Sequence, residues 1–481
     1  MSSSLSREEV VLINTLLYIE NLGGPSGTFL SETLECGTIG EFAKSVLRNT
    51  DKIDDKKEYS TGVTGAEYKE ILNAVLQNKH LKNIIIQSVH YESVSAGGGR
   101  SAFLFDPSAN EAIVAFKGTQ SDAEWVDNVS GVYKVPTEFQ QNALEYFRSL
   151  PLEGYDTITV TGHSKGGNKA KFITLMDDRV DNCFSFDGQG FSDEFIETYA
   201  ENIKKNQHKI LNIIAESDFV NILLNDVGDK EFYLGTNYGR LGFAENHCAN
   251  AILFFDPDGN VSMWKAKGPD SKMVDLDKML NSFVRSISLK KKENVANMLG
   301  NVIVSAYAGN PDRIADTFAD ERYKGSASDL MAFILRYKSK KPSMIESLKQ
   351  IVKANNVDTG MINTFDFITN HDWIMELIGD NPKVTIQLME LKNVDVSVIT
   401  FIKKHISLFG FISLVAHKMR HITPNLTNGA DKKAEDVDTS GGHLSDDVDT
   451  LFDKGSPKLL AIWAAVSFII TAIILFLFWR N

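Results

Sequence analysis

Cysteine is scarce in this chain. Only Cys36, Cys183 and Cys248 occur among 481 residues. An odd number at wide spacing excludes a disulfide framework and favours a reducing, intracellular setting. No Cys/His group has the spacing of zinc ligands, so neither a metal nor another cofactor is expected. Basic residues are also in deficit: 50 Lys and Arg stand against 63 Asp and Glu, a formal net charge of -13, which argues against nucleic acid as a partner. No export signal is expected either. Met1–Glu9 carries acid where a signal peptide needs base, and the apolar stretch Val10–Ile19 is broken by Asn14 and Thr15. That stretch reads instead as an amphipathic first helix with Ser6 as its N-cap.

Long apolar runs are missing until the C-terminal end, where Leu459–Trp479 holds 21 uncharged residues. A helix of that length spans the roughly 30 Å hydrocarbon core of a bilayer. Trp463 and Trp479 lie near its two ends, as interfacial aromatics do. A single C-terminal transmembrane anchor is therefore expected, with the preceding domains on the cytoplasmic side. The segment before it, residues 423–457, is rich in Asp, Thr, Gly and Ser, cannot bury enough apolar surface to order itself, and reads as an acidic tether.

The rest of the chain divides by pattern. Residues 1–85 read as helical, with Thr64–Leu76 the clearest case. Strands then appear at Lys82–Ser93, Ser101–Phe105 and Glu111–Phe116, followed by an alternation of strands and helices through Asp156–Thr161, Asn182–Asp187 and Lys209–Ala215. This rhythm predicts an α/β domain over residues 1–270 with a doubly wound, mostly parallel sheet. A hairpin, Ala251–Phe255 with Val261–Lys267, is expected to close it. Residues 271–422 read as an all-α region of unknown role whose protein partners the sequence does not name. Its lysine runs, Lys290–Lys292 and Lys338 to Lys341, read as solvated helix faces.

The chemistry concentrates at Gly162-His163-Ser164-Lys165-Gly166, between a short β-branched strand and a helix that begins near Gly167. A strand turning sharply into a helix holds a serine in a strained conformation with its hydroxyl exposed, and needs small residues two positions away on either side. With Ser164 as nucleophile, the acid and the histidine follow in chain order. Asp218 ends the apolar strand Leu211–Ala215 in an acidic turn and is the expected acid. Asp187, at the end of the previous strand, is its rival. His247 is the expected base, because His208 precedes a strand at its wrong end. The backbone N–H of Lys165 and the N–H and hydroxyl of Thr119 are expected to form the oxyanion hole. Gly118, His163 and Gln189 are expected to line the substrate cleft.

Two of these segments resemble a known family. Val114-Ala-Phe-Lys-Gly-Thr119, followed by Glu124-Trp125-Val126-Asp127, resembles the oxyanion-loop motif of class 3 lipases. Gly162-His-Ser-Lys-Gly-Gly167 resembles their elbow. The chain is most similar to an uncharacterised bacterial lipase-like branch in which this elbow and a segment like Asp187–Phe191 recur. The resemblance covers about residues 5–265. It implies an α/β-hydrolase fold and carries a triad onto Ser164, Asp218 and His247. Lys117 and Lys165 depart from the usual residues and are expected to make the mouth of the site more polar. The expected function is a membrane-anchored serine hydrolase acting on a lipid or other amphipathic ester. A binding scaffold on the same fold, and a thioesterase or amidase using the same triad, are the alternatives.

Overall fold

The computed structural model describes residues 3–307 except 33, 35–36, 61, 93–98 and 236–243, with scattered positions between 317 and 399. The expected span Leu459–Trp479, the tether, the second lysine run and Cys36 lie outside the described residues. Among the described residues no helix is long and apolar enough to cross a membrane. The chain divides into two units, Met1–Lys278 and Met279–Asn481.

The first unit opens with helices. In α1 (Arg7–Leu16) the Ser6 side chain accepts the Glu9 N–H while the Glu9 carboxylate accepts the Ser6 N–H, a reciprocal cap that satisfies two orphan donors. The amphipathic reading of this helix is corrected: Val10 to Leu16 are all buried, Asn14 and Thr15 included. Those two polar side chains are tolerated because each has partners. Asn14 donates to Thr161 Oγ1 at 2.8 Å and Thr15 donates to the Ala249 carbonyl at 2.7 Å. Each fully buried aliphatic side chain of α1 contributes about 1.5–3 kcal/mol. There follow α2 (Ile39–Leu47), a small antiparallel pair β1 (Glu58–Ser60) and β2 (Val63–Thr64), and α3 (Gly65–Gln77), the last started by a second reciprocal cap between Thr64 and Glu67.

The main sheet has seven strands in the order β3 (Ile85–Tyr91), β4 (Arg100–Asp106), β5 (Glu111–Phe116), β6 (Thr157–His163), β7 (Asn182–Phe186), β8 (Ile210–Ala215) and β9 (Asp229–Tyr233). The pairs β3–β4 and β4–β5 are antiparallel, and all pairs from β5 to β9 are parallel. Between them lie α4 (Asp122–Ser130), α5 (Glu138–Ser149), α6 (Lys165–Met176), α7 (Asp193–Thr198) and α8 (Ala200–Asn206). Two apolar clusters form the core, one holding α1, α2 and α3, the other holding α5 and α6. A parallel sheet covered on both faces keeps its strands out of water, and β5 and β6 are buried at every position, the threonines of β6 included.

Two expectations need correction. β9, with the sequence Asp-Lys-Glu-Phe-Tyr, has no counterpart in the sequence reading: charged residues facing water blunt an edge strand and hide its period. The closing hairpin is only Phe254–Phe255 (β10) with Val261–Ser262 (β11), because beyond Ser262 the chain bonds alongside β9 instead: the Leu234 N–H donates to the Trp264 carbonyl and the Ala266 N–H to the Phe232 carbonyl, each at 2.8 Å. Helix α9 (Ser271–Ser286) crosses the division between the units and α10 (Leu289–Tyr307) belongs to the second. On α10, Lys291 pairs with Asp329 at 3.2 Å and Lys292 is buried, so the first lysine run is not simply a solvated face.

One network yields a pH prediction. His80 Nδ1 lies 3.0 Å from Glu9 and Nε2 lies 2.8 Å from Asp106, tying α1 to β4. Burial pulls the imidazole pKa down, but the hydrogen bond to Asp106 and the charge of Glu9 outweigh it and raise it above the ordinary 6.5. A raised folded-state value means that this contribution is complete below the unfolded value and is lost as pH rises through the folded one. The parent's melting-temperature advantage over His80→Asn is therefore expected to be largest near about pH 6 and to shrink towards about pH 9. An advantage that grows with pH would refute the assignment.

Candidate active site

Four loops meet at the C-terminal ends of the parallel strands, the usual place for a site in such sheets. After β6 the chain turns at Ser164, whose backbone has φ 59° and ψ -122° before α6 begins. Only glycine fits around this turn. A Cβ on Gly162 would come within 2.2 Å of the Gly166 carbonyl carbon, and one on Gly166 within 1.9 Å of the Phe116 oxygen. The Ser164 N–H donates to the Phe186 carbonyl at 2.9 Å, which ties the turn to β7. A non-glycine residue at positive φ is strained, and such strain persists where the surroundings enforce it.

His247 comes from a short 3₁₀ turn, Ala244–His247. Its Nε2 lies 2.8 Å from Ser164 Oγ and its Nδ1 lies 2.6 Å from Asp218 Oδ1. The carboxylate of Asp218, fully buried after β8, accepts on its other oxygen from the N–H of Val220 at 3.0 Å and from the N–H and Nδ2 of Asn221, each at 2.7 Å. Donors of this kind fix the direction of the carboxylate. The structure thus brings Ser164, His247 and Asp218 into one hydrogen-bonded row.

The loop after β5 approaches the same serine. A Cβ on Gly118 would fall 3.2 Å from the Ser164 Cβ and 2.1 Å from the Tyr18 hydroxyl, so glycine is required for this approach. Next to it, Thr119 Oγ1 accepts from Asn128 Nδ2 at 2.7 Å. With that lone pair used, the threonine hydroxyl can donate elsewhere. Lys165 is the first residue of α6, where backbone N–H groups lack helical partners. Gln189 follows β7, donates to the Asn128 carbonyl at 3.1 Å, and lines a small cavity with Asn128, Lys165 and Asn168.

Three side chains are not where the sequence reading puts them. Lys117 and Lys165 are both buried: Lys117 pairs with Glu20 and Lys165 with Asp127. They do not make the mouth of the site polar, because a buried ammonium must face its counter-ion rather than the cleft. The pattern extends along α6. Lys169 Nζ pairs with Glu124 at 2.9 Å and Glu92 at 3.2 Å, and Lys171 pairs with Asp226 at 2.6 Å. Glu124 and Asp127 are three apart on α4, and Lys165 and Lys169 four apart on α6, so two buried ion pairs clamp α4 to α6. The second correction concerns His163. It is buried, its Nδ1 lies 2.7 Å from the Tyr18 hydroxyl, and its ring packs between Phe186 and His247 at centroid distances of 4.9 and 4.7 Å. Burial in the first place, and His247 in the second, hold its pKa well below 6.5, so the ring is neutral. It supports the base from beneath and does not line the cleft.

Tyr18, Glu20 and Asn128 have no place in the sequence reading. Tyr18 and Glu20 reach the site from just beyond α1, more than 90 positions away from Lys117, and no local pattern marks them. Asn128 carried a signal that went unread, one residue after the Glu124–Asp127 segment.

Residues 75–299 match the model of the Mbeg1-like family. No curated protein matches the sequence. Among solved structures, the chain is similar to the crystal structure of Lip2 lipase from Yarrowia lipolytica, at 14% identity over 56% of this chain and 88% of that chain, with a TM-score of 0.29. Residues 75–299 are thus similar to the Mbeg1-like family.

Proposed function

We propose that this chain is a serine ester hydrolase of lipase type. The observation that carries the reading is the unbroken row from Ser164 Oγ through His247 to Asp218. In the reaction, His247 Nε2 takes the Ser164 proton as Oγ attacks the ester carbonyl. Asp218 holds the imidazole in position and stabilises the imidazolium that forms. The N–H groups of Thr119 and Lys165, with the Thr119 hydroxyl, receive the tetrahedral oxyanion. Each such donor contributes about 2.7–4 kcal/mol at the transition state. His247 then returns the proton to the leaving alcohol, and water releases the acyl group by the same steps in reverse.

An amphipathic ester at a bilayer is the substrate class this reading favours. Its support is the apolar run Leu459–Trp479, which would hold the enzyme at a membrane with its hydrolase domain in the cytoplasm. One experiment addresses both points: labelling of the full chain in isolated membranes with a fluorophosphonate probe, beside Ser164→Ala and His247→Ala. The expected result is labelling of the parent alone, with the label retained in the membrane pellet after an alkaline wash. A folded parent that takes no label would sink the enzyme reading, and label released by the wash would sink the anchor.

A further inference from the structure

Asp187 is a buried carboxyl that the row of Ser164, His247 and Asp218 leaves out. It closes β7 with φ 45°, a left-handed conformation that an aspartate tolerates better than most residues but still at a cost. It is fully buried. Its Oδ1 accepts the Ala215 N–H at 2.9 Å, while its buried Oδ2 has no hydrogen-bond partner, and among the described residues no ion pair holds it. A single backbone N–H could be satisfied by asparagine or serine without the cost of burying an acid. Three penalties at one residue, strain, burial and an unmatched oxygen, are what functional sites retain and structural positions discard.

Its neighbours say what it faces. A carboxylate oxygen of Asp187, a ring nitrogen of His163 and a ring nitrogen of His247 all lie within 4.8 Å of one another. Asp187 and Asp218 stand at the ends of adjacent strands, so two acids flank one imidazole. Three donors dress the outer oxygen of Asp218. Asp187 has the Ala215 N–H alone, and burial first, then the charge of Asp218, push its pKa well up. Paired acids with opposed environments have divided roles.

We propose that Asp187 is a second acid of the site, a positioning residue able to orient His247 in place of Asp218. This rests on the reading of Ser164 as nucleophile. When the Asp218 carboxylate is removed, its repulsion goes with it. Asp187 then loses its proton to solvent, and its free Oδ2 accepts the Nδ1–H of His247 after a small swing of the ring. His163, neutral and packed against the same imidazole, keeps the ring plane fixed beneath this exchange.

The test is a double-mutant cycle on the full chain with Asp218→Asn, Asp187→Asn and the pair, read as the rate of fluorophosphonate labelling, with thermal melts to establish folding. Loss of the orienting acid of a serine triad costs about 10⁴-fold. With a second acid in place, Asp218→Asn alone is expected to lose only about 10²-fold, and the pair to reach the full loss of about 10⁴. A merely structural Asp187 would lower the rate by the same factor in both backgrounds, and that result overturns the proposal. A second readout does not need turnover: the low-field proton resonance of His247 Nδ1–H, identified by its loss in His247→Ala. It is expected to survive in Asp218→Asn and to vanish in the pair. Its absence from Asp218→Asn refutes the second acid even where labelling upholds the hydrolase. A parent that takes no label removes the hydrolase reading, while the resonance still decides whether Asp187 reaches His247.

Discussion

Ser164→Ala is expected to lower kcat/KM towards a susceptible short-chain ester by about 10⁶-fold, the loss seen when a triad nucleophile is removed. The substitution keeps the Cβ, so the glycine-flanked turn and its φ of 59° are preserved and the fold should melt within about 1 kcal/mol of the parent. What remains is the activity that binding and the oxyanion donors Thr119 and Lys165 supply without a nucleophile. Steady-state kinetics, with the parent purified and assayed alongside, measure it. Activity above a hundredth of the parent's would place the nucleophile elsewhere. It would also leave the 2.8 Å contact between Ser164 and His247 without a catalytic meaning.

The largest stability effect is expected at Lys169. This lysine and Glu124 are both fully buried, and Glu92 approaches the same ammonium. Lys169→Met would leave two carboxylates facing an apolar chain, and breaking a buried pair from one side costs about 3–5 kcal/mol. Urea unfolding at neutral pH measures this. Replacing all three partners, Lys169→Met with Glu92→Met and Glu124→Met, should recover much of the loss, because the buried charges go together. Arg148→Ala serves as the exposed control. Its guanidinium is half exposed beside Asp177, and such pairs contribute no more than about 1 kcal/mol. A Lys169→Met protein as stable as the control would mean that the α4–α6 clamp is not held by charge. In the proposed reaction the clamp would also bear on the rate. α4 carries Asn128, which orients Thr119, and a displacement of about 1 Å at such a group can cost about 10²-fold in rate.

The alternation of strands with helices was readable from residue 101 to residue 215 because the strands of a covered sheet are short runs of apolar and β-branched residues. Edge strand β9 escaped the same reading because solvent on one side permits Asp229, Lys230 and Glu231. The caps of α1 and α3 were written locally, in Ser6 with Glu9 and Thr64 with Glu67. The burial of α1 on every side was not, since Asn14 and Thr15 look like a polar face until Thr161 and Ala249 supply their partners.

For the site, the division follows the range of the forces involved. A strained strand-to-helix turn is a local steric problem, so Gly162, Ser164 and Gly166 declare it within five residues. The chain order of serine, acid and histidine follows from strand order, and it pointed to Asp218 and His247. Where the side chains of Lys117, Lys165 and His163 point is a different matter. It depends on which counter-ion or ring lies opposite, and Glu20, Asp127 and Tyr18 come from distant parts of the chain. The sequence alone determined the strand-to-helix turn at Ser164, the strands from β4 to β8 and the residues of the candidate row, but not the sheet order, which runs sequentially rather than doubly wound. Only the tertiary structure decided which charges are buried and paired, and that Asp187 keeps one buried oxygen without a hydrogen bond beside the same histidine. Burial and pairing are set by groups brought together from afar, and no local pattern encodes them.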